Sequence, residues 1–176
     1  ERNFYAGGNM FIYFSSKQAV NRDFRGPDFF VVLNVDGEVD RKSWYVWEEE
    51  GRYPDVIIEL MSESTASVDK TTKKDLYAQT FGTQNYFYYD PEMQELTGFH
   101  LVDGKYVDLA ANQQGHLWCE ALKLWIGLWH GEYQGQIHRW IRFFDESGEL
   151  VLTGKEAEKQ RADLEKQRAE AAQARD

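Results

Sequence analysis

Two apolar runs frame the chain. Residues 28–35 (DFFVVLNV) and 55–61 (DVIIELM) are apolar on both alternating faces, the pattern of strands covered from both sides. Residues 85–90 (NYFYYD) read as another strand, closed by Pro91, and residues 9–14 (NMFIYF) as one that precedes them all. Over 69–81 the period lengthens: Leu76, Tyr77 and Phe81 recur at helical spacing, with Asp69 at an N-cap position and Gly82 at the C-terminal stop. Residues 62–68 (SESTASV) are expected to be the loop leading into that helix. The charges, glycines and GRYP turn of 36–54 predict an exposed connection. Alternation returns in 96–102 and 105–109, on either side of an Asp103-Gly104 hairpin turn. The Trp-rich stretch 117–144 reads as strand, and 145–149 as a turn.

The last segment is different in kind. Residues 155–175 are almost all Glu, Lys, Gln, Arg and Ala, which predicts a helix. EKQRA occurs at 158–162 and again at 165–169, and Ala157, Leu164 and Ala171 follow the same seven-residue period. That seam is thin: it suits a solvated helix, or a weak coiled coil joining two protomers. The expected division is a body over 1–153 and a charged helical tail over 154–176.

Composition narrows the function classes. The 176 residues suit one domain with a core of its own, and 42% apolar with 15% aromatic residues describes a folded body. No apolar run is long enough to cross a membrane, so no membrane partner is expected. Cys119 is the sole cysteine, which excludes an internal disulfide and leads to the expectation of a cytoplasmic home. The net charge is −10; residues 154–176 hold six basic and six acidic groups, so the whole excess lies in the body. Such a body lacks the basic surface that drives non-specific binding to phosphates.

Two carboxylates stand where carboxylates are costly. Glu59 interrupts the run Val56-Ile-Ile-Glu-Leu-Met, and alternation puts it on one face with Ile57 and Met61. A buried carboxylate needs a cation, hydrogen bonds or a proton. Asp28 opens the other central strand, directly after Gly26-Pro27. Alone it fits a turn residue; beside Glu59 it can help to hold one hard cation such as Mg²⁺, with Mn²⁺ as a substitute. Lys73 lies three and four residues before Leu76 and Tyr77, on the inward face of the predicted helix, where its long stem can reach Glu59 as a salt bridge or as part of a site. Lys70 and Lys74 lie nearer the edges of that face.

These residues resemble a family. Gly-Pro-Asp-Phe-Phe-Val-Val (26–32), Ile-Ile-Glu-Leu-Met-Ser-Glu-Ser-Thr (57–65), Asp69, Lys73, Tyr77 and Asn-Tyr-Phe-Tyr-Tyr-Asp-Pro (85–91) are similar to the restriction-endonuclease-like domain of bacteria, in the PD-(D/E)XK nuclease superfamily. The resemblance runs from about residue 9 to 144. It implies an α/β fold with a central mixed sheet flanked by helices, metal-dependent hydrolysis of DNA phosphodiesters, and a homodimer. Asp28 matches the first acid and Glu59 the second. The superfamily lysine usually lies two residues after the second acid, where this chain has Met61; Lys73 matches its place on the helix in this family. Glu63 stands where the family commonly has proline. An acid on a helix before the first strand, frequent in the superfamily, has no counterpart in this sequence.

Other candidates are weaker. Asp55 is expected to be a turn-edge residue, Glu48, Glu49 and Glu50 a solvated loop, and His100, His116, His130 and His138 isolated histidines without metal-ligand spacing. Ser62 and Ser64 lack a nucleophile elbow, no glycine loop suits a phosphate, and scattered tryptophans suit a core. Two function classes follow: a Mg²⁺-dependent DNA endonuclease, and a nuclease-like fold kept as a binding or assembly module.

Overall fold

The computed structural model describes residues 2–15, 17, 26–62 and 69–173. Its strands are β1 (Phe4–Gly8), β2 (Ile12–Tyr13), β3 (Phe29–Leu33), β4 (Trp44–Tyr45), β5 (Val56–Leu60), β6 (Asn85–Asp90), β7 (Glu95–Val102), β8 (Lys105–Asp108), β9 (Leu117–Cys119), β10 (Leu124–Tyr133) and β11 (Gln136–Phe144). Helix α1 covers 69–81 in three consecutive pieces: Asp69–Lys73 and Tyr77–Phe81 have the wide π winding, and Lys74–Leu76 is α. Helix α2 is Gly154–Gln173.

Six strands form one mixed sheet in the order β1-β3-β5-β6-β7-β8. β5 and β6 run parallel, while every other neighbouring pair in this sheet is antiparallel. A parallel pair needs a crossover, and the segment holding α1 supplies it. α1 stops where the sequence predicts: Gly82 takes a left-handed φ of 62°, and its N–H bonds to the carbonyl of Tyr77.

Strand alternation sorts the central residues onto two faces. Phe30, Val32, Ile57, Tyr86 and Phe99 pack with Tyr77 and Phe81 of α1, together with Ile12 and Trp44. Val31, Val56, Ile58 and Phe87 pack the opposite way, against Leu117, Cys119 and Ile126 of the small sheet β11-β10-β9. Both faces are therefore covered, which is why 29–33 and 56–60 carry no polar alternation. Burial in the second layer pushes the Cys119 thiol up to about 12, so it behaves as an apolar filler.

Two expectations change. The strand expected over 9–14 shrinks to the two-residue β2, and a separate strand, β1, precedes it. β1 ends at Gly8, Asn9 turns the chain with a φ of 49°, and β2 pairs in parallel with β4 instead of joining the main sheet. The glycines of β1 hide its strand signal, yet Gly7 has a packing reason: a Cβ there would lie 2.7 Å from the Phe30 ring.

Nor is 36–54 simply exposed. It holds β4 and a short 3-10 turn at Val46–Glu48, and Trp44 is 0% exposed with its indole N–H donated to the Arg52 carbonyl at 2.9 Å. Glu49, expected in a solvated loop, accepts two bonds from Arg41 at 2.6 and 3.2 Å. The Arg41 guanidinium lies over the rings of Tyr5 and Trp44. Two of the charges that make this segment look solvated thus neutralise each other, and the guanidinium is laid on aromatic surface.

No residue of α2 is buried. Thr153 and Glu156 open it as a capping box, with the Thr153 N–H on Glu156 Oε2 at 2.8 Å and the Glu156 N–H on Thr153 Oγ1 at 3.4 Å. Arg142 of β11 grips the same carboxylate from two nitrogens, at 3.0 and 2.6 Å. Among the described residues no helix is long and apolar enough to cross a membrane.

Candidate functional site

The register of β3 against β5 pairs Phe29 with Ile58, so Asp28, one step before the strand, comes beside Glu59. Backbone N–H groups brace both acids. Asp28 Oδ2 accepts the Leu60 N–H at 2.6 Å, and the Asp28 N–H approaches Glu59 Oε2 at 3.5 Å. Glu59 leaves β5 on the face of Ile57, toward α1, and is 2% exposed. The alternation read from the sequence places it there.

Helix α1 supplies the partners. The Tyr77 hydroxyl donates to Glu59 Oε1 at 2.6 Å, and Lys73 Nζ stands 3.3 Å from the same oxygen. Lys73 and Tyr77 are four residues apart, so one helical face delivers both. The lysine keeps a fifth of its side chain in contact with solvent, so it links the buried carboxylate to the outside. Asp28, Glu59 and Lys73 are thus brought together.

Tyr77 is the residue that sequence reasoning undervalues. It reads as part of the apolar face of α1, yet its hydroxyl makes a 2.6 Å bond to Glu59. A tyrosine one turn after an inward lysine and facing a buried acid is the signal that identifies it.

The other candidates resolve into structural roles. Asp55 Oδ2 accepts the Leu33 N–H at 2.8 Å, tying the end of β3, and burial raises its pKa. Lys74 Nζ sits 3.8 Å from the centre of the Phe99 ring. Met61, two residues after Glu59, is buried. His116 stacks on Phe144 at 4.0 Å, and burial lowers its pKa. His138 packs edge-on against Trp140, and His100 meets Asn85. Glu63, Ser64, Thr65 and the side chain of Asp69 lie outside the described residues.

The acid pair fits a hard divalent cation. Its donors are all carboxylate oxygens, and among the described residues no third His, Cys, Asp or Glu joins them.

The family model Uma2, described as "Putative restriction endonuclease", matches residues 1–129. Among solved structures, the chain is similar to a protein from Anabaena variabilis ATCC 29413, described as a putative nuclease belonging to DUF820. The two share 21% identity at a TM-score of 0.41, over 61% of this chain and 55% of that one. The likeness therefore spans about half the length of that protein. No curated protein matches the chain significantly.

Proposed function

The chain belongs to the Uma2 family, whose model covers residues 1–129, and from that premise we propose that it is a Mg²⁺-dependent endonuclease hydrolysing DNA phosphodiester bonds. The observation that carries the proposal is the convergence of Asp28, Glu59 and Lys73: two acids on neighbouring central strands and an amine 3.3 Å from one of them.

Asp28 and Glu59, with the Leu60 carbonyl, would hold the cation, and Mn²⁺ would substitute for Mg²⁺. When bound, the ion supplies Lewis acidity toward a phosphate oxygen and toward water. The protein's own part is to fix both carboxylates in advance. The Leu60 N–H orients Asp28 and the Tyr77 hydroxyl orients Glu59, so little reorganisation remains at the moment of reaction. Lys73 neutralises Glu59 before the cation arrives. The same amine then serves the phosphate, stabilising charge that develops on the oxygens.

The wider setting of this proposal is a homodimer acting on DNA in the cytoplasm. The deciding experiment is cleavage of plasmid, linear duplex and single-stranded DNA with Mg²⁺, with Mn²⁺ and with chelator. Metal-dependent internal cleavage supports the proposal. Inactivity on every substrate with either metal favours the fold's use as a binding or assembly module, which the −10 charge also suits.

A further inference from the structure

The row of the sheet that holds the two acids continues beyond them. The parallel register of β5 and β6 sets Tyr88 beside Glu59, and the antiparallel register of β6 and β7 sets Thr97 beside Tyr88. Asp28, Glu59, Tyr88 and Thr97 therefore form one row across four strands, on the face that carries α1. One step inward on that face the row is Phe30, Ile57, Tyr86 and Phe99, all core. On β3, β5 and β7 the side chains thus change from apolar to oxygen-bearing in a single step, while β6 carries tyrosine at both positions.

Tyr88 and Thr97 are half-buried. The Tyr88 ring leans on Tyr86 at 6.1 Å and on Phe99 at 5.8 Å, so its body is anchored in the core while its position in the row is level with Glu59. Neither side chain is needed to neutralise the acids, since Tyr77 and Lys73 already reach Glu59 and the Leu60 N–H reaches Asp28. Strands in a sheet are spaced by roughly 5 Å. Tyr88 and Thr97 thus stand roughly 5 and 10 Å along the row from Glu59, the span of a few nucleotides.

We infer that Tyr88 and Thr97 are substrate-binding residues, whose hydroxyls donate to phosphate or sugar oxygens of a nucleic-acid strand laid across the end of the sheet from the acid pair. The inference rests on the nuclease proposal and names the part of the site that holds the strand beside the scissile bond. Neutral donors suit this body. A phosphate can accept a charge-assisted bond from a hydroxyl, and the hydroxyl, carrying no charge, does not neutralise the carboxylates next to it. The contact also releases no counterions, so it adds nothing to the salt dependence of binding.

The test uses the full chain and a fluorescently labelled DNA oligonucleotide, single-stranded and duplex. Binding is read by anisotropy with Ca²⁺ in place of Mg²⁺, and turnover by steady-state kinetics with Mg²⁺. Tyr88→Phe keeps the ring packing and removes only the oxygen; Thr97→Val is the matching change one strand over. Each should weaken binding and raise KM by about tenfold, the loss of one hydrogen bond to a charged group. For both variants kcat, Mn²⁺ affinity, the salt slope of binding and the melting temperature should match the wild type. Unchanged binding and KM in both variants, with an active wild type, overturns the inference and leaves the nuclease proposal standing. A fall in kcat at constant KM overturns it too, because that places the hydroxyls in the chemical step. A wild type that neither binds nor cleaves DNA overturns the inference together with the proposal beneath it.

Discussion

The Tyr77 hydroxyl and the Glu59 carboxylate are joined by a 2.6 Å hydrogen bond in a place where Tyr77 is 0% and Glu59 2% exposed. A carboxylate so placed depends on its donors, because water cannot replace them. Tyr77→Phe keeps the ring and its packing against Phe81 and Tyr86 and removes one donor. It should lower stability by about 1.5–3 kcal/mol, the range for a hydrogen bond to a charged group. In urea unfolding the midpoint should fall with the slope unchanged. A midpoint equal to wild type would mean that the phenol does not support the acid.

The acid pair makes a separate prediction about metal. Mn²⁺ titrated calorimetrically into the wild type should bind, and the Asp28→Ala, Glu59→Ala double variant should show no binding at the same concentrations. Tyr77→Phe should fall between them, about 10- to 100-fold weaker than wild type, the usual cost of removing a group that orients a metal ligand. Equal affinity in the wild type and the double variant would sink the assignment of both acids.

Much of this arrangement is legible in the sequence, for identifiable reasons. Glu59 is visible because a lone acid inside Val56–Leu60 breaks a pattern that otherwise demands a core. Lys73 is visible because helical periodicity over 69–81 assigns it a face. β1 is invisible because Gly7 and Gly8 give no side chains to alternate, although Gly7 is there to admit the Phe30 ring. The core role of Trp44 is hidden because its stretch lies between Arg41-Lys42 and Glu48-Glu49-Glu50, and only the fold shows that Arg41 and Glu49 satisfy one another. The row from Asp28 to Thr97 cannot be read at all without the register of four strands.

The tail tests a different contact. Arg142 holds the Glu156 carboxyl down to about 2, with the Thr153 N–H as a further cause. A depressed carboxyl pKa stabilises the fold fully above its ordinary value of about 4.5, and the contribution is lost as pH falls through about 2. We propose that residues 1–153 fold as the domain and 154–176 as an appended helix fastened by this one ion pair. A chain ending at residue 162 should then melt cooperatively within a few degrees of the full chain. A chain ending at Gly154 should melt lower, because Arg142, 9% exposed, loses its carboxylate. Glu156→Gln should remove the stability difference between pH 5 and pH 2.5 that this pair provides in thermal melts. Identical melting of the two truncated chains would show that the ion pair is not the fastening.

Lys73 and its neighbour Lys74 separate catalysis from packing. Lys73 Nζ is 3.3 Å from Glu59 Oε1, whereas Lys74 Nζ lies over the Phe99 ring at 3.8 Å. Consecutive lysines thus serve two different surfaces. Lys73→Ala should reduce cleavage by about 10²-fold or more, as expected for one lost electrostatic contact to developing charge. It should also destabilise the fold, since Glu59 loses its cation while staying buried. Lys73→Met keeps the aliphatic stem, and a stability nearer wild type with activity still lost would separate those two effects. Lys74→Ala should cost about 0.5–2 kcal/mol through the lost cation–π contact, with cleavage close to wild type at temperatures where the variant is folded. Met61→Lys placed on the Lys73→Ala background tests whether a lysine two residues after Glu59 can reach the same acid. Partial recovery of cleavage would put positions 61 and 73 at one pocket. The assignment of faces fails if Lys74→Ala abolishes cleavage while Lys73→Ala retains it, because the amine that serves the phosphate would then lie on the side of Phe99 and away from the acid pair.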